Sequence, residues 1–340
     1  MTEKICVVGL GYIGLPTAAV LAASGRQVHG VEVNRDVVET INAGKPHVAE
    51  PDLDMLVQAG VQTGRLTASL EPVPSDVFII CVPTPLTESD KPDLSFVYDA
   101  TDAICPHLRA GCLVVLESTS PPGTTEWVAD RIEKQTGLKP PEVQVAHAPE
   151  RVLPGRILRE VVENDRIVGG IDELSTVRCA DFYSTFTSGA VFRTSARTAE
   201  ATKLVENAFR DVNIAFANEL SIMASELDLD VWDIIEMANR HPRVNILSPG
   251  PGVGGHCIPV DPWFLVAAAP DSTSLIRAAR DVNSRKPQWV IERVRSLASR
   301  FKNPRIACLG LTYKPDVDDL RESPAVEIVR ELEKEFGQSV

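Results

Sequence analysis

Paired cysteines are the first thing this 340-residue chain lacks. Its seven cysteines, at positions 6, 81, 105, 112, 179, 257 and 308, are scattered, odd in number and without a CxxC pair. That pattern excludes a disulfide framework and a zinc or other metal site built on thiolates, and it fits a reducing, cytoplasmic setting. Positive charge is also scarce: 34 lysines and arginines face 47 acidic residues, for a net charge of −13. Such a chain repels phosphate backbones and anionic lipid surfaces, which argues against nucleic acid or membrane as partner. An anionic small-molecule substrate then needs a local basic patch or a helix N-terminus. Missing too is any stretch long and apolar enough to cross a membrane. Lys4 and the apolar run to Ala23 have the outline of a signal peptide, but the glycines within that run have a better explanation.

What is present suits an α/β protein of two or three domains with a substantial core. Residues 4–8 (KICVV) are a short, apolar, β-branched run; Gly9-Leu-Gly11-Tyr12-Ile13-Gly14 follows, then a helical pattern from Leu15 to Ser24. A second strand, Gln27 to Val31, ends in Glu32. GxGxxG alone is weak, but after a strand, opening a helix, and with an acid about 20 residues on, it is the dinucleotide-binding fingerprint. Gly9 permits the tight turn, Gly11 lets a pyrophosphate approach the backbone, and Gly14 lets helix and strand pack closely. Glu32 is expected to hold a ribose 2′-hydroxyl and repel a 2′-phosphate, favouring NAD⁺ over NADP⁺; the nearby Arg35 weakens that preference. Further apolar runs at 77–82, 113–116 and 143–146 read as buried strands of a doubly wound parallel sheet. Thr84, Thr119 and Glu150 follow them, at the carboxyl rim where such sheets bind ligands; singly, each is equally a turn residue capping the next helix.

From about Thr198 to Leu227 no glycine or proline interrupts a helical pattern, and Arg197-Thr198-Ala-Glu200 has the form of a start signal. Leu204, Val205, Ala208, Phe209, Val212, Ala215, Phe216 and Leu220 carry its apolar spacing. Lys203, Asn207 and Arg210 share one face, where they can bind sugar hydroxyls or phosphate and stabilise an oxyanion; the bland alternative is a solvated face. So long a helix suits a domain spine and a dimer interface. Downstream, Gly250, Gly252, Gly254 and Gly255 predict a tight turn whose amides can face an anion. Cys257 follows directly, where a helix start would sharpen it as a nucleophile. Cysteine is more often a small buried hydrophobe, and the other six read as structural.

Taken together, GLGYIGLPTA, CVPTP, ESTSPPGTTE, PERVLPG, SRTAEATKLVEN, FRDVNIAFANELS, NRHPRVNILSPGPGVGGHC and LTYKPDVDDLRESPA resemble the UDP-glucose/GDP-mannose dehydrogenase family over essentially the whole chain. Within it, RVLPG and NRHPRVN look most like members that oxidise UDP-N-acetyl-D-mannosamine (UDP-ManNAc) to its aminuronic acid, with UDP-glucose, UDP-GlcNAc and GDP-mannose as alternatives. The resemblance implies Cys257 as catalytic thiol and Lys203 with Asn207 at the reacting C6 oxygen. It implies Asp261 as active-site aspartate, Glu150 as general base, and Thr119 positioning water or oxyanion. NAD would meet Gly9, Gly11, Tyr12, Ile13, Gly14, Glu32, Arg35, Thr84, Thr119, Thr125, Lys314 and Arg321. The nucleotide-sugar would meet Arg151, Val152, Lys203, Asn207, Arg210, His241, Arg243 and Gly254, with His241 and Arg243 reaching in from a partner subunit of a homodimer.

Three domains are expected: 1–195, Rossmann-like and NAD-binding; 196–300, helical, catalytic and dimerising; and 301–340, the start of a nucleotide-sugar-binding domain. Members of the family carry a complete second Rossmann-like domain there; here one strand from Arg305 and one helix from about Ser323 to Phe336 are expected, either as a fragment of that domain or as a remnant packed on the central helix with impoverished nucleotide contacts. NAD⁺ binding is expected to survive this and turnover to be strongly reduced. A non-catalytic NAD or nucleotide-sugar binder is the reading from another class; a single-step 6-phosphogluconate or β-hydroxyacid dehydrogenase shares the fold and a helix lysine but leaves GPGVGGHC without a purpose.

Overall fold

The computed structural model describes residues 3–314 and 320–337. The first apolar runs become strands and the amphipathic segments helices: β1 (Lys4–Val8), α1 (Gly14–Ala23), β2 (Gln27–Val31), α2 (Arg35–Asn42), α3 (Leu53–Gln62), β3 (Leu66–Ser69), β4 (Val77–Ile80), α4 (Ser95–Ile104) and β5 (Leu113–Leu116). The sheet continues with α5 (Thr124–Thr136), β6 (Gln144–His147), α6 (Ile157–Glu163), β7 (Arg166–Gly170), α7 (Glu173–Ser184) and β8 (Val191–Ser195). Strand order is β3-β2-β1-β4-β5-β6-β7-β8. The first six are parallel neighbours in the doubly wound order 3-2-1-4-5-6, so the Rossmann-like expectation holds.

Period-two alternation explains why these strands are apolar throughout. Ile5 and Val7 enter the core on one face of the sheet while Cys6 and Val8 enter the core on the other. Val77 and Ile79 against Phe78 and Ile80 repeat the split in β4. With helices on both faces, neither set of side chains meets water. α1 is buried from Gly14 to Ala22, which is why its sequence is apolar all round.

Two features depart from a wholly parallel sheet. β3, β7 and β8 are additional to the strands read from sequence, and β7 pairs with β6 antiparallel, with His147 opposite Gly169 and Ala146 opposite Gly170. β8 then runs parallel to β7.

By compactness the chain divides into two units, Met1–Lys203 and Leu204–Val340. The division falls inside α8 (Ala196–Glu226). This helix starts two residues before the expected Thr198: the Ser195 hydroxyl accepts from the Thr198 amide at 3.2 Å and so caps the first turn. The second unit continues with α9 (Val231–Ala238), α10 (Asp261–Ala268), α11 (Ser274–Ala298) and α12 (Pro324–Phe336). The expected C-terminal helix forms and packs on α11 through Ile291, Ile328 and Leu332. The expected strand from Arg305 does not form; residues 304–311 carry no regular structure, since a strand needs a ladder partner to satisfy its backbone. Residues 315–319, part of the LTYKPDVDDLRESPA segment, lie outside the described residues. Among the described residues no helix is long and apolar enough to cross a membrane.

Candidate functional site

In the first unit the chain reverses direction across the sheet between β1 and β4, the switch point where such folds hold ligands. Gly9, at φ +90°, closes the turn after β1, and a Cβ there would lie 2.7 Å from the Cys81 carbonyl oxygen. A Cβ on Gly14 would lie 1.8 Å from the Gly9 carbonyl oxygen, so only glycine lets α1 seat on β1. Around Gly11 a Cβ would meet nothing within 4 Å: this is the open face of the turn. No side chain caps the N-terminus of α1 at Ile13, so its positive end is left for an anion. Tyr12 is exposed and Ile13 half-buried beside it. The Glu32 carboxylate is fixed at the end of β2 by the Leu10 and Asn34 amides, each at 3.2 Å. Arg35 is exposed at the start of α2. An uncapped helix end, open space at Gly11 and an oriented acid are what a dinucleotide requires, and the residues fit NAD.

Along the rim, Thr84 is buried and Thr119 half-buried. Thr125 is fully buried, and its amide and hydroxyl both donate to Glu200 Oε1, at 2.7 and 2.5 Å, while the Gly123 amide donates to Oε2 at 2.6 Å. The N-terminus of α5 is therefore occupied by Glu200, a helix acid that sequence reasoning took only as part of a start signal. Burial raises the Glu200 pKa, against the hydrogen bonds from Thr125 and Gly123. Glu150 is buried and paired with Arg166, Nη1 to Oε2 at 2.5 Å, and its Oε1 accepts from the Arg151 amide at 2.9 Å. The Arg151 guanidinium donates to the Asp165 carbonyl at 2.5 Å. Val152 packs beside Ile157 and Val161. Glu117 lies in the same cluster, accepting from the Tyr183 hydroxyl and, at 3.1 Å, from the Cys81 thiol. Nothing in local sequence pattern marks Glu117, Arg166 or Tyr183, which lie far apart along the chain.

In the second unit Cys257 is exposed, one turn ahead of α10, and its carbonyl accepts from the Asp261 amide at 2.8 Å. Asp261, the first residue of α10, is buried and accepts from Asn207 Nδ2 at 2.6 Å. Two of the expected catalytic residues are thus in contact, and the third is tied to them through the backbone. The glycine turn before the thiol differs from expectation. The Gly250 amide donates to Asn218 Oδ1 at 2.8 Å and the Gly255 amide to the Arg321 carbonyl at 3.0 Å, so neither is left for an anion. The glycines serve close packing instead: a Cβ on Gly254 would lie 2.6 Å from the Glu322 carbonyl oxygen and 2.6 Å from Tyr313 Cβ. Arg321 is exposed and Lys314 half-buried.

On α8, Lys203 is half-buried, Asn207 buried and Arg210 exposed. The expected apolar stripe also splits: Leu204, Ala208 and Ala215 are buried, while Val205, Phe209 and Phe216 are exposed, Phe209 by 67%. His241 and Arg243 are exposed on a loop that Asn239 clasps through Ile246, accepting from its amide at 2.7 Å and donating to its carbonyl at 3.0 Å. Cys6, Cys105, Cys112 and Cys179 are buried, and burial pushes the thiols of Cys6 up to about 12 and of Cys105 up to about 11. Cys308, expected to be structural, is exposed on the irregular segment.

Comparison with known proteins agrees with this architecture. Three domain models of the UDP-glucose/GDP-mannose dehydrogenase family match: the NAD binding domain at residues 3–187, the central domain at 197–285 and the UDP binding domain at 307–340. An NDP-N-acetyl-D-galactosaminuronic acid dehydrogenase of Ralstonia nicotianae is 57% identical, over 97% of this chain and 80% of its own. A UDP-N-acetyl-D-mannosamine dehydrogenase of Campylobacter jejuni is 51% identical, over 99% of this chain and 85% of its own. The solved UDP-D-ManNAc dehydrogenase of Pyrococcus horikoshii superposes with a TM-score of 0.91 at 44% identity, over 97% of this chain and 81% of that one. With a dinucleotide cradle, a matching order of domains and relatives of this likeness, the chain belongs to the UDP-glucose/GDP-mannose dehydrogenase family and is an NAD-dependent oxidoreductase.

Proposed function

We propose that the protein oxidises the C6 hydroxyl of a nucleotide-linked sugar to a carboxylate in two steps on one thiol, with UDP-ManNAc as substrate and UDP-ManNAcA as product. The relatives' names divide between manno and galacto sugars, both N-acetylated, and pocket shape at the sugar ring decides between them. The observation that carries the reading is the exposed Cys257 beside the buried Asn207–Asp261 pair.

When bound, NAD⁺ supplies the hydride acceptor for both oxidations. After the first, the C6 carbon is an aldehyde, and the Cys257 thiolate adds to it to give a thiohemiacetal whose oxyanion Lys203 and Asn207 stabilise. Loss of the second hydride leaves a thioester, and water positioned by Thr119 and deprotonated by Glu150, with Asp261 orienting Asn207, releases the carboxylate and returns the thiol. The thiol is needed because a tethered adduct donates its second hydride without the aldehyde escaping. Gly9, Gly11, Tyr12, Ile13, Gly14, Glu32, Arg35, Thr84, Lys314 and Arg321 are the proposed cofactor contacts. Arg151, Val152, Arg210, His241, Arg243 and Gly254 are the proposed substrate contacts. Thr125 acts at the cofactor site through the Glu200-capped start of α5. The expected partition at residues 195 and 300 stands as a proposal for how these roles divide.

The apolar side chains exposed on α8 and on α9, where Trp232 is 57% and Met237 61% exposed, support a homodimer through the central helices, since patches of this kind mark interfaces. A cytoplasmic location, and a role in supplying aminuronic acids for polysaccharide, complete the reading. The test is stoichiometry: UDP-ManNAc should yield two NADH per sugar, and Cys257→Ser should end turnover. One NADH per sugar, undiminished in the serine variant, would refute it.

A further inference from the structure

The reversal of β7 has a chemical consequence. In a sheet continued in parallel, the first residue of β7 would lie at the opposite end from the ligand-binding rim. Because β7 is antiparallel to β6, it starts at that rim. Extending the register three residues past the His147–Gly169 pair puts position 166 opposite position 150, and the two side chains are in contact there. Arg166 is 2% exposed. Its Nη2 donates to the Val161 carbonyl at 3.3 Å, its guanidinium centre lies 5.0 Å from the centroid of the Tyr183 ring, and its Nη1 meets Glu150 Oε2. That last contact is an ion pair at 2.5 Å, and Glu150 Oε1 accepts from the Arg151 amide at 2.9 Å.

We infer that Arg166 is a positioning residue for Glu150: delivered to the rim by the reversed strand, it holds the carboxylate in one orientation for proton transfer. The inference rests on the reading of Glu150 as the base. The groups around the pair leave Arg166 as the cluster's cation. From the end of β5, Glu117 faces it; burial and then the charge of Glu150 raise the Glu117 pKa. From α7 come Tyr183, raised by burial and then by Glu117, and Cys179, raised by burial. Cys81, beyond β4, is raised by burial and then by Glu117. His147, on β6, is pushed down to about 3 by burial and is neutral. Arg166 is itself opposed by burial, but the charges of Glu150 and Glu117 outweigh this and raise its pKa.

The experiment is the pH profile of NADH formation from UDP-ManNAc at saturating NAD⁺. An opposite charge at this range favours a carboxylate's charged form, so Arg166→Met should move the acidic limb of the profile to higher pH. Each unit is a tenfold slower rate on the acid side, with the alkaline plateau retained. Arg166→Lys, which keeps the charge, should restore most of the shift. Because Arg166→Met strips a buried pair of its cation, Glu117→Gln/Arg166→Met is assayed beside it; this double variant removes one carboxylate together with the arginine and should show the same upward shift. If the arginine variants slow turnover equally at every pH and leave the limb in place, Arg166 is merely structural and the inference is overturned. If Glu150→Gln turns over normally with an unmoved limb, the reading of Glu150 falls first and takes the inference with it.

Discussion

Lys286, on α11, offers a prediction whose sign is decided by magnitudes. It is 3% exposed, its ammonium donates to the Ser221 hydroxyl on α8, and it lies 4.0 Å from the centroid of the Trp289 ring. Burial pushes its pKa down from 10.5 to about 8. At about 1.36 kcal/mol per unit, that drop disfavours the charged form by roughly 3 kcal/mol at neutral pH. Methionine at this position removes that burden but also loses a hydrogen bond worth about 0.5–1.5 kcal/mol and a cation–π contact of about 0.5–1 kcal/mol. The burden outweighs the losses, so Lys286→Met should stabilise the second unit by about 1–2 kcal/mol at pH 7. The pH dependence follows from a base whose folded pKa is depressed: between pH 8 and 10.5 the unfolded chain keeps the proton that the folded chain has lost, so wild-type stability rises with pH across that window. The gap between variant and wild type should close there. Urea unfolding at pH 7 and pH 10 measures it; tryptophan fluorescence is the probe, because Trp232, Trp263 and Trp289, three of the four tryptophans, lie in this unit. A methionine variant less stable than wild type at pH 7, or a gap of equal size at both pH values, would refute the reasoning.

Two further outcomes follow from the packing. Glu200→Ala strands the Gly123 and Thr125 amides at the start of α5, and each orphaned donor costs about 1–3 kcal/mol; thermal unfolding of the variant should therefore fall by several degrees. Gly254→Ala must push a methyl group against the Glu322 carbonyl and Tyr313, an overpacking of about 1–3 kcal/mol. It should slow alkylation of Cys257 or lower turnover, whereas Gly11→Ala, with open space around it, should leave thiol alkylation unchanged and weaken NAD⁺ binding.

The parts of this molecule legible in its sequence are those whose information is local. KICVV, the glycine turn and Glu32 lie within one βαβ unit, where spacing fixes geometry, and the structure builds them as read. The length of α8 was legible because no breaker interrupts it. Strand direction is not local: nothing in Arg166–Gly170 distinguishes an antiparallel strand from a parallel one, so the Glu150–Arg166 pair could not be read. β8 is an edge strand with none of its residues buried, too polar for the apolar-run signal. Glu200 looked like a helix start because an acid near a helix N-terminus usually serves its own helix; here it serves α5, reached only through the fold. The run from Arg305 had a strand's composition but forms no ladder. The amphipathic pattern of α8 could not distinguish Leu204 from Val205, because a buried stripe and an exposed apolar stripe have the same spacing.

The most direct measurement is the mass of the peptide bearing Cys257 after acid quench of a Glu150→Gln variant mixed with UDP-ManNAc and NAD⁺. Blocked hydrolysis should leave the sugar nucleotide as a thioester on that sulfur, lighter than added substrate by four hydrogens, with two NADH formed per adduct. An unmodified Cys257 while NADH accumulates, or an adduct on Cys308 instead, would contradict the account.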